Sequence, residues 1–155
     1  MTRPPRPHRS RGFTFVELLI VVIVLSLLSL LGLLKYNDLR NSARAAAVAG
    51  DIRVITVGAL NYQADHQDWP PEAAAGATPA GMEPFLPGFS FIKPEYTLDW
   101  DNFGGSGTDF FVGITITSDD PGLLRKLRGT LGTQYPFFSI GNSLTYIIVG
   151  TDGAS

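Results

Sequence analysis

Residues 13–34 read FTFVELLIVVIVLSLLSLLGLL, a run of 22 residues with one charge, Glu17. As an α-helix, at about 1.5 Å per residue, the run is roughly 33 Å long and matches a hydrocarbon core of roughly 30 Å. A helix in the core of a soluble domain keeps a polar face, and this run has none. A secretory signal peptide has an apolar stretch of only about 7–15 residues, closely followed by a small-residue cleavage site. Here Ala45-Ala46-Ala47 lies well beyond the run. A plain single-pass anchor leaves Glu17 unexplained. An acid at mid-membrane costs on the order of 2.5–3.5 kcal/mol, less near the edge, and such a group points to function.

Upstream, residues 1–12 (MTRPPRPHRSRG) carry Arg3, Arg6, Arg9 and Arg11, no acid and no apolar run, the composition of a leader without a core. The junction Arg11-Gly12-Phe13-Thr14-Phe15-Val16-Glu17-Leu18-Leu19-Ile20 resembles the processing motif of type IV prepilins and type II secretion pseudopilins. In that family, prepilin peptidase cuts after the glycine and methylates the new amino terminus. The resemblance places the cut between Gly12 and Phe13, makes Phe13 the N-methylated residue, and puts Glu17 on the motif's glutamate. Glycine suits a scissile bond, because an extended backbone without a side chain lies close to the protease. The cut creates a cation at Phe13, and Glu17 lies about one helical turn away. The resemblance implies a filament of staggered parallel helices, in which Glu17 of one subunit is expected to face the amine of a neighbour, where pairing would offset the desolvation of both charges.

The resemblance implies a structural subunit and no enzyme. Its partners would be identical or homologous filament subunits, prepilin peptidase, the inner-membrane assembly machinery and, before assembly, the lipid bilayer. The implied location is a single pass of the inner membrane with the head in the periplasm or outside, then a periplasmic or surface filament. Many type IV pilins have a proline late in this helix; here Leu34 stands near that place, and Gly32 is the nearest source of flexibility. Ser26, Ser29 and Gly32 are three apart, which fits either close helix approach or lipid-facing positions.

Beyond Leu34, Val48, Ile52, Ile55, Ala59 and Tyr62 recur at four and three, a helical stripe that Tyr36, Leu39, Ala43 and Ala46 extend toward the apolar run. Arg44, Asp51 and Arg53 are expected to point outward. No proline falls between Thr14 and Trp69, so one helix can run to about Asp65. The alternative is a break at Gly50 or Gly58, but each glycine costs only about 1 kcal/mol. Residues 66–90 hold Pro70, Pro71, Pro79, Pro84 and Pro87 and read as loop, with a short helix near Met82–Leu86. In Asp68-Trp69-Pro70-Pro71, a pattern similar to one in many pseudopilins, proline stops the helix and the ring covers the core.

Strands are expected at Phe89–Ile92, Phe110–Thr117 and Leu144–Val149, with Val112, Ile114 and Ile116 on one face. Ser118-Asp119-Asp120-Pro121 opens a helix with Leu123, Leu127 and Leu131 on one side. The fold class is α+β: a long N-terminal α-helix, half membrane-spanning and half amphipathic, on a small antiparallel sheet, in the manner of type IV pilins. The expected divisions are a removed leader at 1–12, an assembly helix at 13–34, its amphipathic half at 35–65 and a head at 66–155.

Charge and composition narrow the functions. Four of the 12 basic residues lie in the leader, which leaves 8 basic against 14 acidic residues from Phe13 onward and no basic stripe for nucleic acid. There is no cysteine, which excludes disulfides and thiolate sites. The two histidines, His8 and His66, give little for a metal site or triad, and no cofactor is expected. The stretch Asp99-Trp100-Asp101-Asn102-Phe103-Gly104-Gly105-Ser106-Gly107-Thr108-Asp109 is read as a solvated turn. Asp99, Asp101, Asn102 and Asp109 are the oxygen donors if it takes calcium, although the spacing is not that of an EF-hand. No Gly-Lys-Ser/Thr follows the glycines, so they form no phosphate loop. Ser118 and His66 are read as surface groups, and Arg125-Lys126-Arg128 as a solvated helix face. Phe85 and Phe89 are candidates for partner contact. The absence of cysteine and the Trp-Pro-Pro element lean toward a pseudopilin, and a membrane-anchored binding domain sharing the signal is the alternative.

Overall fold

The computed structural model describes residues 13–104, 110–132 and 136–149. Its elements are α1 (Phe15–His66), β1 (Thr97–Gly104), β2 (Phe110–Thr117), α2 (Pro121–Leu131), β3 (Phe137–Ile140) and β4 (Ser143–Val149). Two compact units divide between Leu39 and Arg40. Helix α1 is assigned without interruption at Gly50 or Gly58, as one unbroken helix requires.

In the first unit, every described side chain from Phe13 to Leu33 is exposed. Two hydroxyls within this apolar stretch are satisfied by their own helix. Ser26 Oγ donates to the carbonyl of Val22 and Ser29 Oγ to that of Leu25, each at 2.7 Å. By length and composition, this part of α1 is suited to cross a membrane.

In the second unit, the outer part of α1 packs on a four-stranded antiparallel sheet of order β1-β2-β4-β3. Val48, Ile52, Ile55 and Ala59 are buried as the periodicity requires, and Ala45 extends their stripe. Ala43 and Ala46 are exposed instead. From Ala46 to Val48 is two residues, a turn of roughly 200° about the axis, so the two cannot share a face. Opposite the buried stripe, Val54, Val57 and Leu60 remain exposed.

The sheet contributes Leu98, Trp100, Val112, Ile114, Ile116 and Leu144 to the core. Burial of Val112, Ile114 and Ile116 follows the period of two read from β2. Helix α2 starts where its signals place it. Asp120 is the N-cap, accepting from the amides of Gly122 (2.8 Å) and Leu123 (3.3 Å), and Pro121 occupies the first turn. Leu123, Leu127 and Leu131 are buried, with Leu124 beside them.

Three local expectations are corrected. Phe89–Ile92 is no strand: Phe91 is a core ring, and only an isolated bridge joins Ile92 to Thr97. The strand lies later, at Thr97–Gly104, where buried Leu98 and Trp100 alternate with Asp99 and Asp101. Those acids sit on the opposite face and disguise the alternation. Met82–Leu86 forms turns, with the amides of Phe85 and Leu86 both donating to the carbonyl of Met82 at 3.0 Å; Pro84 and Pro87 prevent extension. Strand β3 was not anticipated, being four residues long.

Glycine 58 has a packing role. A Cβ there would lie 2.7 Å from Leu86 Cδ2, so the missing side chain admits the 82–86 turn against α1. Past the end of α1, Trp69 packs against the core and Trp100 Nε1 donates to the carbonyl of Pro70 at 3.0 Å. The Trp-Pro-Pro element therefore closes the core at that end of the head.

Candidate functional site

At the start of α1, Thr14 and Glu17 form a reciprocal capping box. The backbone amide and hydroxyl of Thr14 donate to Glu17 Oε2 at 2.8 and 3.0 Å, and the amide of Glu17 donates to Thr14 Oγ1 at 3.2 Å. Glutamate 17 thus has a structural role within its own chain, which the assembly reading of this residue had not included. The signal was present, since Thr14-x-x-Glu17 is a capping-box spacing. Phenylalanine 13 directly precedes the box and is exposed. Gly12 lies outside the described residues.

The acidic candidates fall elsewhere. Asp99, Asp101 and Asn102 lie on β1, an edge strand, and not in a solvated turn; Asp109 lies outside the described residues. Glu72 joins them from the preceding loop and accepts the amide of Asn102. One carboxylate oxygen from each of Glu72, Asp99 and Asp101 lies within 4.8 Å of the others. The hydroxyl of Thr115 donates to Asp101 Oδ2, and Thr115 Oγ1 is 2.7 Å from Thr145 Oγ1. Asp99 Oδ1 and Asn102 Oδ1 are buried without a hydrogen-bond partner among the described residues.

Burial, then the charges of Asp101 and Glu72, push the Asp99 carboxyl up to about 6 against the pull of the Trp100 amide. The carboxyl of Asp101 is also raised, chiefly by burial, while Thr115 opposes the shift and Glu72 adds to it. Three carboxylates at this separation form a donor set suited to a hard cation.

A second polar cluster surrounds Arg44, which turns inward contrary to the outward expectation. Its guanidinium pairs with Glu95 and, at 3.1 Å, with Asp120, the α2 cap. Arg40 also reaches Glu95, at 3.5 Å. Asp51 turns inward too, held by Lys93 Nζ at 3.2 Å and the hydroxyl of Tyr96 at 2.6 Å. Burial and the nearby Asp51 and Glu95 carboxylates raise the Tyr96 phenol. The cluster lines an open cavity of about 650 Å³ whose polar groups are tied to each other. Tertiary partners from the 93–96 segment determine these directions, and helix periodicity carries no sign of them.

The remaining candidates are separated. Ser118 Oγ donates to the carbonyl of Glu95 at 2.8 Å and accepts the amide of Asp120 at 3.2 Å, a structural role. His66 stacks on Tyr62 with centroids 4.1 Å apart, and Phe85 meets both rings edge-on. Phe89 packs on Phe91 with Lys93 over its ring, so Phe85 and Phe89 serve as partly buried core aromatics. Among the described residues, Ser118 and His66 do not form a nucleophile–base pair.

No curated protein and no solved structure matches the chain. A family model does match, the prokaryotic N-terminal methylation motif, over residues 7–33. The match covers Gly12, Phe13 and the capping box, and runs to the end of the exposed apolar stretch. This motif points to a structural protein, implies processing by prepilin peptidase and assembly with other pilin subunits, and with the apolar helix fits a single-pass inner-membrane anchor. The chain carries, over residues 7–33, the prepilin-type signal of type IV pilins and pseudopilins.

Proposed function

We propose that the chain is a filament subunit, a pilin, minor pilin or pseudopilin of a type IV pilus or type II secretion filament. The observation that carries this reading is the methylation motif leading directly into a helix whose side chains from Phe13 to Leu33 are all exposed. Such a surface requires lipid or other helices around it. Prepilin peptidase would remove residues 1–12 and methylate Phe13. Residues 13–34 would form the assembly helix, 35–65 its amphipathic half and 66–155 the head, held first in the inner membrane with the head outside it.

The capping box bears on the pairing. Both donors of Thr14 engage Glu17 Oε2. This leaves Oε1 for the Phe13 amine of a neighbouring subunit, at a fixed height along the helix. A neighbour packed out of register leaves both charges alone in apolar surroundings. The absence of cysteine and the Trp69-Pro70-Pro71 closure favour a secretion pseudopilin over a pilus subunit.

Mass spectrometry of the mature amino terminus tests the processing step, with N-methylated Phe13 expected. Glu17→Ala is expected to be inserted and cut but to be lost from sheared filaments. Normal incorporation of that variant would remove Glu17 from the assembly role. Mature chain found only in membranes, never in filaments, would instead fit a membrane-anchored binding domain.

A further inference from the structure

The four ion pairs among the described residues use Arg40, Arg44 and Lys93 against Glu95, Asp120 and Asp51. Among the charges outside these pairs, two sets lie on opposite flanks of the sheet. Glu72, Asp99 and Asp101 crowd within 4.8 Å on the β1 flank, and none is in an ion pair with a described cation. On the other flank, Arg125 is exposed and forms no ion pair with a described acid, and Arg128 donates to Ser139 Oγ of β3. The order β1-β2-β4-β3 puts these flanks at opposite edges, roughly 14 Å apart at about 4.8 Å per strand.

Apolar groups accompany both charge sets. Phe103, at the β1 edge, is 57% exposed, and Ile140, on β3, is 72% exposed. Between them, the rings of Phe103, Phe111 and Phe138 follow one another across the outer face at 5.9 and 6.1 Å. The β1 edge is partly covered by the 70–72 loop, which takes hydrogen bonds from Trp100 and Asn102. Strand β3 pairs only with β4 among the described strands.

We propose that heads of two copies of this chain meet flank to flank. The acidic β1 flank of one copy (exposed Glu72 and Phe103 and half-buried Asp99, with Asp101 buried beside them) faces the basic α2–β3 flank (Arg125, Arg128 and Ile140) of the next. The proposal rests on the filament-subunit reading, which aligns the copies in parallel. Two unlike surfaces form a heterologous contact, and such a contact propagates as an open helical array instead of closing as a dimer. Guanidinium groups brought to Glu72 and Asp99 relieve the mutual repulsion of the three carboxylates and offer planar donors matched to them. Burial raises the Asp99 carboxyl first and the Asp101 and Glu72 charges add to it; only that added repulsion is what such a contact would lift. Oppositely charged rims also raise the rate of encounter and penalise the reverse orientation, where like charges meet.

The sequence contains no cysteine, so engineered pairs give a clean test in the full chain, expressed with its assembly machinery. Phe103→Cys and Ile140→Cys, placed together, leave every charge intact. A short bis-maleimide is expected to convert that chain into a ladder of dimers, trimers and higher species, with either single variant staying monomeric. Dimers from a single variant would mean a two-fold contact and overturn the proposal. Adding Arg125→Glu with Arg128→Glu should lower the ladder at least about fivefold, and Glu72→Arg in the same chain should recover part of it. Raising the salt to 1 M, where the screening length falls to about 3 Å, should weaken the unaltered ladder as well. Tryptophan emission checks that each variant keeps its fold.

Sheared filaments that yield only monomers would sink this inference and leave the filament reading standing. Chain confined to membranes would count against the filament reading, and a ladder there would still support the head contact, whereas monomers would refute it. Monomers together with a calcium-dependent rise in melting temperature would assign the carboxylates to a metal ion and overturn the proposal.

Discussion

Replacing Asp99 by Asn should stabilise the head at neutral pH and have no effect in acid. The folded carboxyl titrates at about 6, against an ordinary value of 3.8, because burial and two neighbouring acids oppose its charge. A raised aspartate binds its proton more tightly when folded. Its unfavourable effect is therefore absent below the unfolded value near 4, grows as pH rises, and is complete above about 6. At about 1.4 kcal/mol per pKa unit, the gap corresponds to roughly 3 kcal/mol for a carboxyl sealed from water. Asp99 is only partly buried, so solvent screening reduces this to roughly 1 kcal/mol. For a domain of this size, the change is a rise of about 4 °C in melting temperature. Asparagine keeps an oxygen for the Trp100 amide, and Oδ1 has no hydrogen bond to lose. Thermal melts of both proteins, read by tryptophan fluorescence from pH 4 to 8, check it. A gain equal at every pH, or a loss at pH 7, would refute the electrostatic reasoning.

Further outcomes follow from the structure of the head. Arg44→Ala should cost about 1 kcal/mol in urea denaturation, the lower range for partly exposed pairs, because water can rehydrate Glu95 and Asp120. Asp120→Ala should cost about 1 kcal/mol through loss of the α2 cap. Combined with Arg44→Ala it should cost less than the sum, since the two share a contact, and a double-mutant cycle measures the difference. Gly58→Val should destabilise the head by about 1–3 kcal/mol, as the new side chain meets Leu86; an unchanged melting temperature would show that the 82–86 turn gives way freely. Millimolar calcium should leave the melting temperature of the unassembled chain unchanged, with a chelator as the control.

The parts legible in the sequence were those governed by local rules. The apolar run, the α1 stripe, β2 and the Asp120-Pro121 helix start each depend on residues within a few positions of one another. The β1 strand escaped because Asp99 and Asp101 occupy its outer face, where strand propensity disfavours acids but the sheet edge tolerates them. Four-residue β3 has too short a pattern to separate from loop. The inward turn of Arg44 and the arrival of Glu72 beside Asp99 depend on tertiary contacts, which helix and strand periods do not encode. At the amino end, the chemistry of Glu17 was readable in two ways. Its capping role is plain from Thr14-x-x-Glu17, while its pairing with a neighbour's amine is the proposal made above.

Both members of that N-terminal box, Thr14 and Glu17, lie downstream of the Gly12–Phe13 bond. Severing the bond there would take away none of the groups that hold the first turn together. The proposed cut would alter the charge at the start of α1 and leave the Thr14–Glu17 box in place. On the processing proposed above, the first turn of α1 is already capped before the cut.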